Sequence, residues 1–337
     1  MPERPRLTPA IADVRRAVRE SLEQFSVAEG QLVLVACSGG ADSLALAAAL
    51  AFEAPRANIR AGAVIVDHQM QSGSAEVAAK AADQLVSLGL DPVLIKTVSV
   101  GSIGGPEAAA RDARYEALNA AADELGAVVV LLGHTMDDQA ETVLLGLARG
   151  SGARSLQAMA SASGRYLRPM LAITRQTTEA FCADSNLDFW QDPMNQDEHY
   201  ARVRVRKNLL PALEAELGPG VASALARTAE QFREDEEVLS ALAESAYSEL
   251  VSADSKSLSL PVHGFKNLPL ALRHRVLASC LEVLAAPTFA RVHILAVDEL
   301  VDRWHGQKPL TLPGVRVERL GDRITLTTTK TLKPGAC

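Results

Sequence analysis

Four short runs in the first half of the chain are apolar at almost every position: 31–36 (QLVLVA), 60–66 (RAGAVIV), 91–98 (DPVLIKTV) and 127–132 (AVVVLL). Apolarity that is continuous rather than alternating predicts strands buried on both faces. Between them lie Ala- and Leu-rich segments with helical spacing, at 42–54, 74–88, 107–125 and 137–148. Strand and helix in alternation predict an α/β fold with a doubly wound parallel sheet. In such sheets ligands sit beyond the carboxyl ends of the strands. The four strand tails are CSGGADS, DHQMQSGS, SVGSIGGPE and GHTMDDQ, all rich in small and polar residues.

The rhythm changes after Gly152. Residues 174–186 are predicted helical, 187–200 (LDFWQDPMNQDEHY) a polar loop, and 202–217 (RVRVRKNLLPALEAEL) a basic stretch running into a helix. Gly218-Pro219-Gly220 breaks the chain, and 221–249 read as one long amphipathic helix. Its acidic run Glu234–Glu237 is expected to be a solvated face. The tail, 255–330, mixes short strands with helices near 269–285 and 289–303. It ends in a hairpin pattern with turns at Pro313-Gly314 and Gly321-Asp322. The expected domains are a catalytic domain at 1–218, a connecting helix at 219–250 and a small α+β domain at 251–337.

Composition narrows the classes. With 337 residues and 48% apolar content the chain can bury more than one core. Aromatics at 4% argue against a surface that grips single-stranded nucleic acid mainly by stacking. A formal charge of −7 leaves room for local basic patches only. Cys37, Cys182, Cys280 and Cys337 are far apart with no CxxC, which suits a reducing cytoplasm better than a zinc site or a disulfide framework. The N-terminus lacks an apolar h-region, and no stretch reaches the roughly 18 apolar residues of a membrane span. A cytoplasmic protein with no membrane partner is the expectation.

The chemistry begins at SGGADS. A glycine-rich turn between a buried strand and a helix can aim backbone N–H groups at an anion, and Ser38 and Ser43 add hydroxyls. Neither GxxxxGK[ST] nor GxGxxG is present. The plain alternative is a strand–helix turn with Asp42 or Ser43 as N-cap. His134, Asp137, Asp138 and Glu141 gather acids at another helix start, where they could hold Mg²⁺, accept a proton or merely complement the helix dipole. Arg111 and Arg114, three apart, share a helix face suited to phosphate or to surface ion pairs. Asp67-His68 could touch a nucleotide or substrate base, or be structural. Three Arg and one Lys within 202–207 make either a patch for RNA phosphates or a solvated helix start.

SGGADS resembles the SGGxDS pyrophosphate-binding loop of the N-type ATP pyrophosphatases. The further set Asp67-His68, ARDARY (110–115), GHTMDDQAET…RGSG (133–152), RPML (168–171), DP (192–193) and RVRVRKNLLP (202–211) resembles, in order and spacing, the bacterial tRNA(Ile)-lysidine synthetases. The resemblance is dense over about 30–212 and looser over 265–330, where KPLTLPGVRV looks like the family's small substrate-binding domain. Three departures stand out: Val203 replaces the family's usual Asn, ARSLQAM replaces xxGLxGM, and the additional C-terminal domain of longer members is not present by residue 337.

The resemblance implies an adenine-nucleotide alpha-hydrolase-like fold and a ligase forming C–N bonds. ATP, with Mg²⁺, adenylates the C2 oxygen of the wobble cytidine in the CAU anticodon of isoleucine tRNA, and free L-lysine then displaces AMP. It implies that Ser38, Gly39, Gly40, Ala41, Asp42 and Ser43 bind ATP. Asp138 is the leading candidate for base or metal ligand, with Asp137 and Asp42 as further catalytic candidates. Asp67, His68, Arg111, Arg114, His134, Arg149, Arg202 and Arg206 are candidates for ATP, lysine or tRNA. A homodimer is compatible with the sequence. The alternatives are a tRNA thiolase of the same superfamily, or a non-catalytic module that keeps the fold.

Overall fold

The computed structural model describes residues 7–69, 71, 73–99, 101, 105–150, 152–284 and 289–329. Parts of the second and third strand tails, Ser151 of the RGSG run and Cys337 lie outside the described residues. The chain divides into two compact units, 1–232 and 233–337.

The first unit opens with α1 (Pro9–Gln24), capped by the Thr8 hydroxyl, which accepts from the Ile11 N–H. Then follow β1 (Leu32–Ala36), α2 (Ala41–Glu53), β2 (Arg60–Asp67), α3 (Ser74–Ser87), β3 (Val93–Thr97), α4 (Pro106–Leu125), β4 (Ala127–Leu132) and α5 (Met136–Arg149). All eight elements predicted in this stretch are present, within one or two residues of the expected ends. The chain continues through α6 (Ala153–Leu156), β5 (Ala162–Ser163), β6 (Tyr166–Leu167), α7 (Arg175–Asp184), α8 (Ala201–Arg204) and α9 (Leu210–Leu217).

The sheet runs β3-β2-β1-β4-β6-β5, parallel except for the β5–β6 pair. Alternate residues of β1 serve opposite faces. Val33 and Val35 join a core with α1, α2, α3 and α7, while Leu32, Leu34 and Ala36 join one with Leu118, Ala121 and Ala122 of α4. That double burial is why the strands read as unbroken apolar runs. β1 lies between β2 and β4, so the chain leaves β1 in both directions across the sheet and its carboxyl end is the topological switch point.

α10 (Val221–Leu250) contains the boundary between the units. The second unit adds β7 (Ser252–Ala253), β8 (Ser257–Pro261), α11 (Val262–Lys266), α12 (Leu270–Val283), α13 (Arg291–Asp302), β9 (Leu310–Leu312), β10 (Val315–Leu320) and β11 (Arg323–Thr328). Its antiparallel sheet, β7-β8-β11-β10-β9, packs Leu258, Val317, Ile324 and Leu326 against Phe265, Val276, Leu277 and Val297. The predicted hairpin is the β9–β10–β11 meander. Arg273 of α12 is buried between Asp298 (2.6 Å) and Asp302 (2.8 Å) of α13. The acidic run is not wholly solvated, because Glu236 is buried as the ion-pair partner of Arg275.

Candidate active site

The loop after β1 turns at Gly39, whose φ of +81° is a left-handed conformation that a side chain would strain. Gly40, rather than Asp42 or Ser43, is the N-cap of α2, and no side chain caps the helix. Ser43 instead stabilises the loop itself: its hydroxyl donates to the Gly40 carbonyl (3.0 Å) and accepts from the Ser38 N–H (3.1 Å). The uncapped first turn of α2 therefore keeps donors and positive partial charge for an anion. Gly133, at the end of β4, lies against this turn. A Cβ there would be 3.1 Å from both Cα and N of Ser43, tight enough that a side chain would push the two loops apart by a few tenths of an ångström.

A cavity of about 530 Å³ opens at this point. It brings together Ser38, Gly40, Ala41, Asp42, Ser43, Arg114, His134, Asp138, Arg202 and Arg206, all expected site residues. Gly39 lines an adjoining cleft beside Trp190, and Asp67 and His68 line a smaller cavity of about 150 Å³ that shares Ser38 and Trp190. Asp137 accepts the Arg175 backbone N–H (2.8 Å). Two expected residues are not gathered. Arg111 is exposed, over the Tyr115 ring at 5.0 Å, and Arg149 is exposed at the far end of α5.

Charge at the cavity wall is organised around two buried acids. Glu141 is fully buried and takes Nε of Arg206 (2.6 Å), Nε of Arg202 (2.8 Å) and Nη1 of Arg175 (3.5 Å). Asp138 completes a capping box with Thr135, whose N–H donates at 2.8 Å, and its other oxygen meets Arg175 (3.2 Å) and Arg202 (3.3 Å). Burial works to raise the Asp138 carboxyl, but Arg202, Arg175 and the Thr135 N–H hold it below its ordinary value. The basic stretch is thus no open stripe: Arg202 and Arg206 turn inward because Glu141 and Asp138 need counter-charge. Arg204 donates to the Glu198 and His199 carbonyls, and Lys207 pairs with Glu198 (3.1 Å). A π turn at Val205–Leu209 sits in this segment, just before Pro211, which has no N–H to give the carbonyl four residues back.

Asp42 behaves differently. Burial raises its carboxyl, against the opposing pulls of the Thr178 hydroxyl, which donates to it, and of Arg175 (3.5 Å). Arg114 lines the cavity with no carboxylate ion-paired to it among the described residues, and burial lowers its proton affinity. His134 is pushed down to about 3, chiefly by burial, so its ring is neutral. Its Nδ1 is buried without a hydrogen-bond partner among the described residues.

Sequence reasoning missed Arg175 and Trp190. Arg175 contacts Asp42, Asp138 and Glu141 through its side chain and Asp137 through its backbone. A cation at the first position of a helix opposes the helix dipole, and that anomaly was the available signal. The Trp190 backbone N–H donates to the Gly39 carbonyl (2.9 Å), while Gln71 Nε2 donates to Asp192 (2.8 Å). These ties join 190–192 to the glycine loop at one end and to the second strand tail at the other. The departures leave the site standing. Val203 is buried, with Arg202 and Arg206 still converging on Glu141. The ARSLQAM turn is clamped by Gln139, which exchanges two hydrogen bonds with the Met159 backbone. The thiols near the loop are poor sulfur carriers: burial raises Cys37 and pushes Cys182 up to about 12.

Comparison with known proteins gives the family. The PP-loop domain family matches residues 12–213, and the TilS substrate binding domain family matches 260–324. The chain is 58% identical to the tRNA(Ile)-lysidine synthase of Leifsonia xyli subsp. xyli over 89% of this chain and 90% of that protein. It is 51% identical to that of Thermobifida fusca, over 93% and 96%, and 53% identical to that of Streptomyces coelicolor, over 88% and 85%. Among solved structures, the U34-tRNA thiolase NcsA from Methanococcus maripaludis has a TM-score of 0.56 at 21% identity, over 67% of this chain and 80% of that one, which is a likeness of fold alone. With a PP-loop domain over residues 12–213 and relatives of this identity along most of its length, the chain belongs to the tRNA(Ile)-lysidine synthase family.

Proposed function

We propose that this chain joins free L-lysine to C2 of the wobble cytidine in the CAU anticodon of isoleucine tRNA, converting ATP to AMP and pyrophosphate. The carrying observation is one cavity in which Ser38 and residues 40–43 of the loop, the acid Asp138, and the guanidiniums of Arg114, Arg202 and Arg206 face a common volume. The C2 oxygen of cytidine attacks the α-phosphorus and pyrophosphate leaves. The lysine ε-amine then attacks C2 and AMP departs with the oxygen.

Each group has a task that its setting supports. Ser38, Ser43 and the open first turn of α2 receive the pyrophosphate part of ATP, and Arg114 supplies uncompensated positive charge for a phosphate. The smaller cavity at Asp67 and His68 takes the nucleotide base. Arg175, Arg202 and Arg206 each keep part of the guanidinium toward the cavity and can take the lysine carboxylate. The ε-ammonium, with a pKa near about 10.4, must lose a proton before attack. Between Asp42 and Asp138, Asp42, with its raised proton affinity, is the better acceptor, and Asp138 holds the arginines in place. Asp137 is committed to the start of α7. Arg111 and Arg149, outside the cavity, are left for tRNA phosphates.

Mg²⁺ does not fit at Asp138, where one oxygen is taken by Thr135 and the other is ringed by Arg175, Arg202 and Arg206. We assign Mg²⁺ to the ATP phosphates instead. No helix among the described residues is long and apolar enough to cross a membrane, and the buried free thiols of Cys37, Cys182 and Cys280 suit the cytoplasm.

The test incubates the protein with ATP, labelled lysine and isoleucine tRNA bearing CAU. Lysine bound to the tRNA, with one AMP released per lysine, is expected. Absence of label in the tRNA refutes the reading.

A further inference from the structure

The second unit carries an aromatic feature that the reaction site does not use. Trp304, one of two tryptophans in the chain, follows α13 and is 37% exposed. The Arg319 guanidinium lies over its ring at 4.6 Å. That guanidinium is fixed in turn: Nη1 donates to the carbonyls of Leu300 (2.6 Å) and Val301 (3.1 Å), and Nε to that of Gly321 (3.0 Å). These bonds cap the last turn of α13 and hold the arginine from β10 against the indole.

The loop that presents the ring is also ordered. The His305 N–H donates to Gln307 Oε1 (2.9 Å), and His305 Nδ1 lies 3.0 Å from the Arg303 carbonyl. Residues 303–308 read RWHGQK, with three basic or titratable side chains and no acid. Lys308 is exposed with no ion-pair partner among the described residues. The acids nearest in the chain are mostly engaged: Glu299 lies 3.7 Å from Arg303, Asp302 pairs with Arg273 and Lys266, and Glu318 lies 3.8 Å from Arg316.

An indole with one face backed by an anchored guanidinium and part of its surface open, flanked by cations and free of carboxylates in its own loop, has the chemistry of a nucleobase platform. We infer that Trp304, backed by Arg319, stacks an unpaired base of the substrate tRNA while Arg303 and Lys308 meet the adjoining phosphates. This rests on the reading that the substrate is a tRNA. It adds a contact outside the cavity that performs the chemistry. A single platform is also consistent with the low aromatic content: one stack can help orient a long RNA whose affinity comes mainly from phosphates.

Titration of the full chain with isoleucine tRNA at fixed salt tests it, read by tryptophan fluorescence and by Kd. The parent is expected to show more quenching than Trp304→Phe, which keeps only the signal of Trp190 at the reaction cavity, with Trp304→Phe binding tRNA nearly as tightly because phenylalanine still stacks. Trp304→Ala is expected to weaken tRNA binding roughly tenfold and to raise KM for tRNA, with kcat and the KM values for ATP and lysine unchanged. Lys308→Ala is expected to reduce the slope of log Kd against log salt by about one. If Trp304→Ala unfolds, the quenching and the Lys308→Ala slope decide. Equal quenching in the parent and Trp304→Phe, or parental tRNA affinity in folded Trp304→Ala, overturns the inference while leaving lysine transfer intact. Failure of the parent to transfer lysine overturns the underlying reading instead.

Discussion

In residues 7–232 three arginines converge on Glu141 and Asp138 beside a cavity, whereas in the second unit one arginine, Arg273, lies between two aspartates of a neighbouring helix. The side chains of Arg175, Arg202 and Arg206 remain 21%, 29% and 25% exposed, against 5% for Arg273. The first network can therefore trade a protein carboxylate for a ligand oxygen, and the second cannot. Burying an ion pair adds little to stability by itself, because desolvation offsets attraction. Network one is accounted for by what it presents to the cavity, and network two by the helix pairing it specifies.

The largest effects should come from removing the hub of each network. Glu141→Gln and Arg273→Met each strand buried charge and should each cost about 3–5 kcal/mol of unfolding free energy, measured by denaturant titration. Only Glu141→Gln should also weaken nucleotide and lysine binding at temperatures where both variants are folded. Equal ligand affinities in the two would break the comparison. Arg114→Met sharpens it, since that guanidinium faces the cavity without a carboxylate. Its thermal midpoint should stay level or rise, while ATP affinity falls roughly ten- to a hundredfold by calorimetry.

The smallest effect concerns His134, whose folded-state value of about 3 lies below an unfolded value near about 6.5. Between those values the unfolded chain binds a proton that the folded chain refuses. Stability should therefore fall as pH drops below about 6.5, by at most about 1.4 kcal/mol per pH unit. His134→Gln should flatten that slope in thermal melts from pH 7 to 5.

The strands and helices of the first unit were legible because each strand is buried on both faces and each helix is rich in strong formers. α1 was overlooked although Ile11, Val14, Val18 and Leu22 carry helical spacing behind the Thr8-Pro9 cap. β5 and β6, two residues each, are too short to show any period. At the site, the loop 38–43 and the acids of α5 could be read locally, since each is a contiguous motif. The inward turn of Arg202 and Arg206 could not, because their partner Glu141 lies 61 and 65 residues earlier in the chain. Nor could the separation of Arg111 from Arg114. Helical spacing puts both on one side of α4, but only tertiary packing decides that one enters the cavity and the other rests on Tyr115.

The approach of Gly133 to Ser43 sets a limit on how this protein can diverge. Two loops about ninety residues apart in the chain are spaced so closely that a single methyl group would force them apart by a few tenths of an ångström, so main-chain atoms set the dimensions of the seat at the head of α2. The charged lining is constrained differently, by ion pairs such as Glu141 with Arg202 and Arg206 whose partners must change together. Over evolutionary time its side chains can be exchanged to suit a different acceptor or amine while the seat keeps its shape.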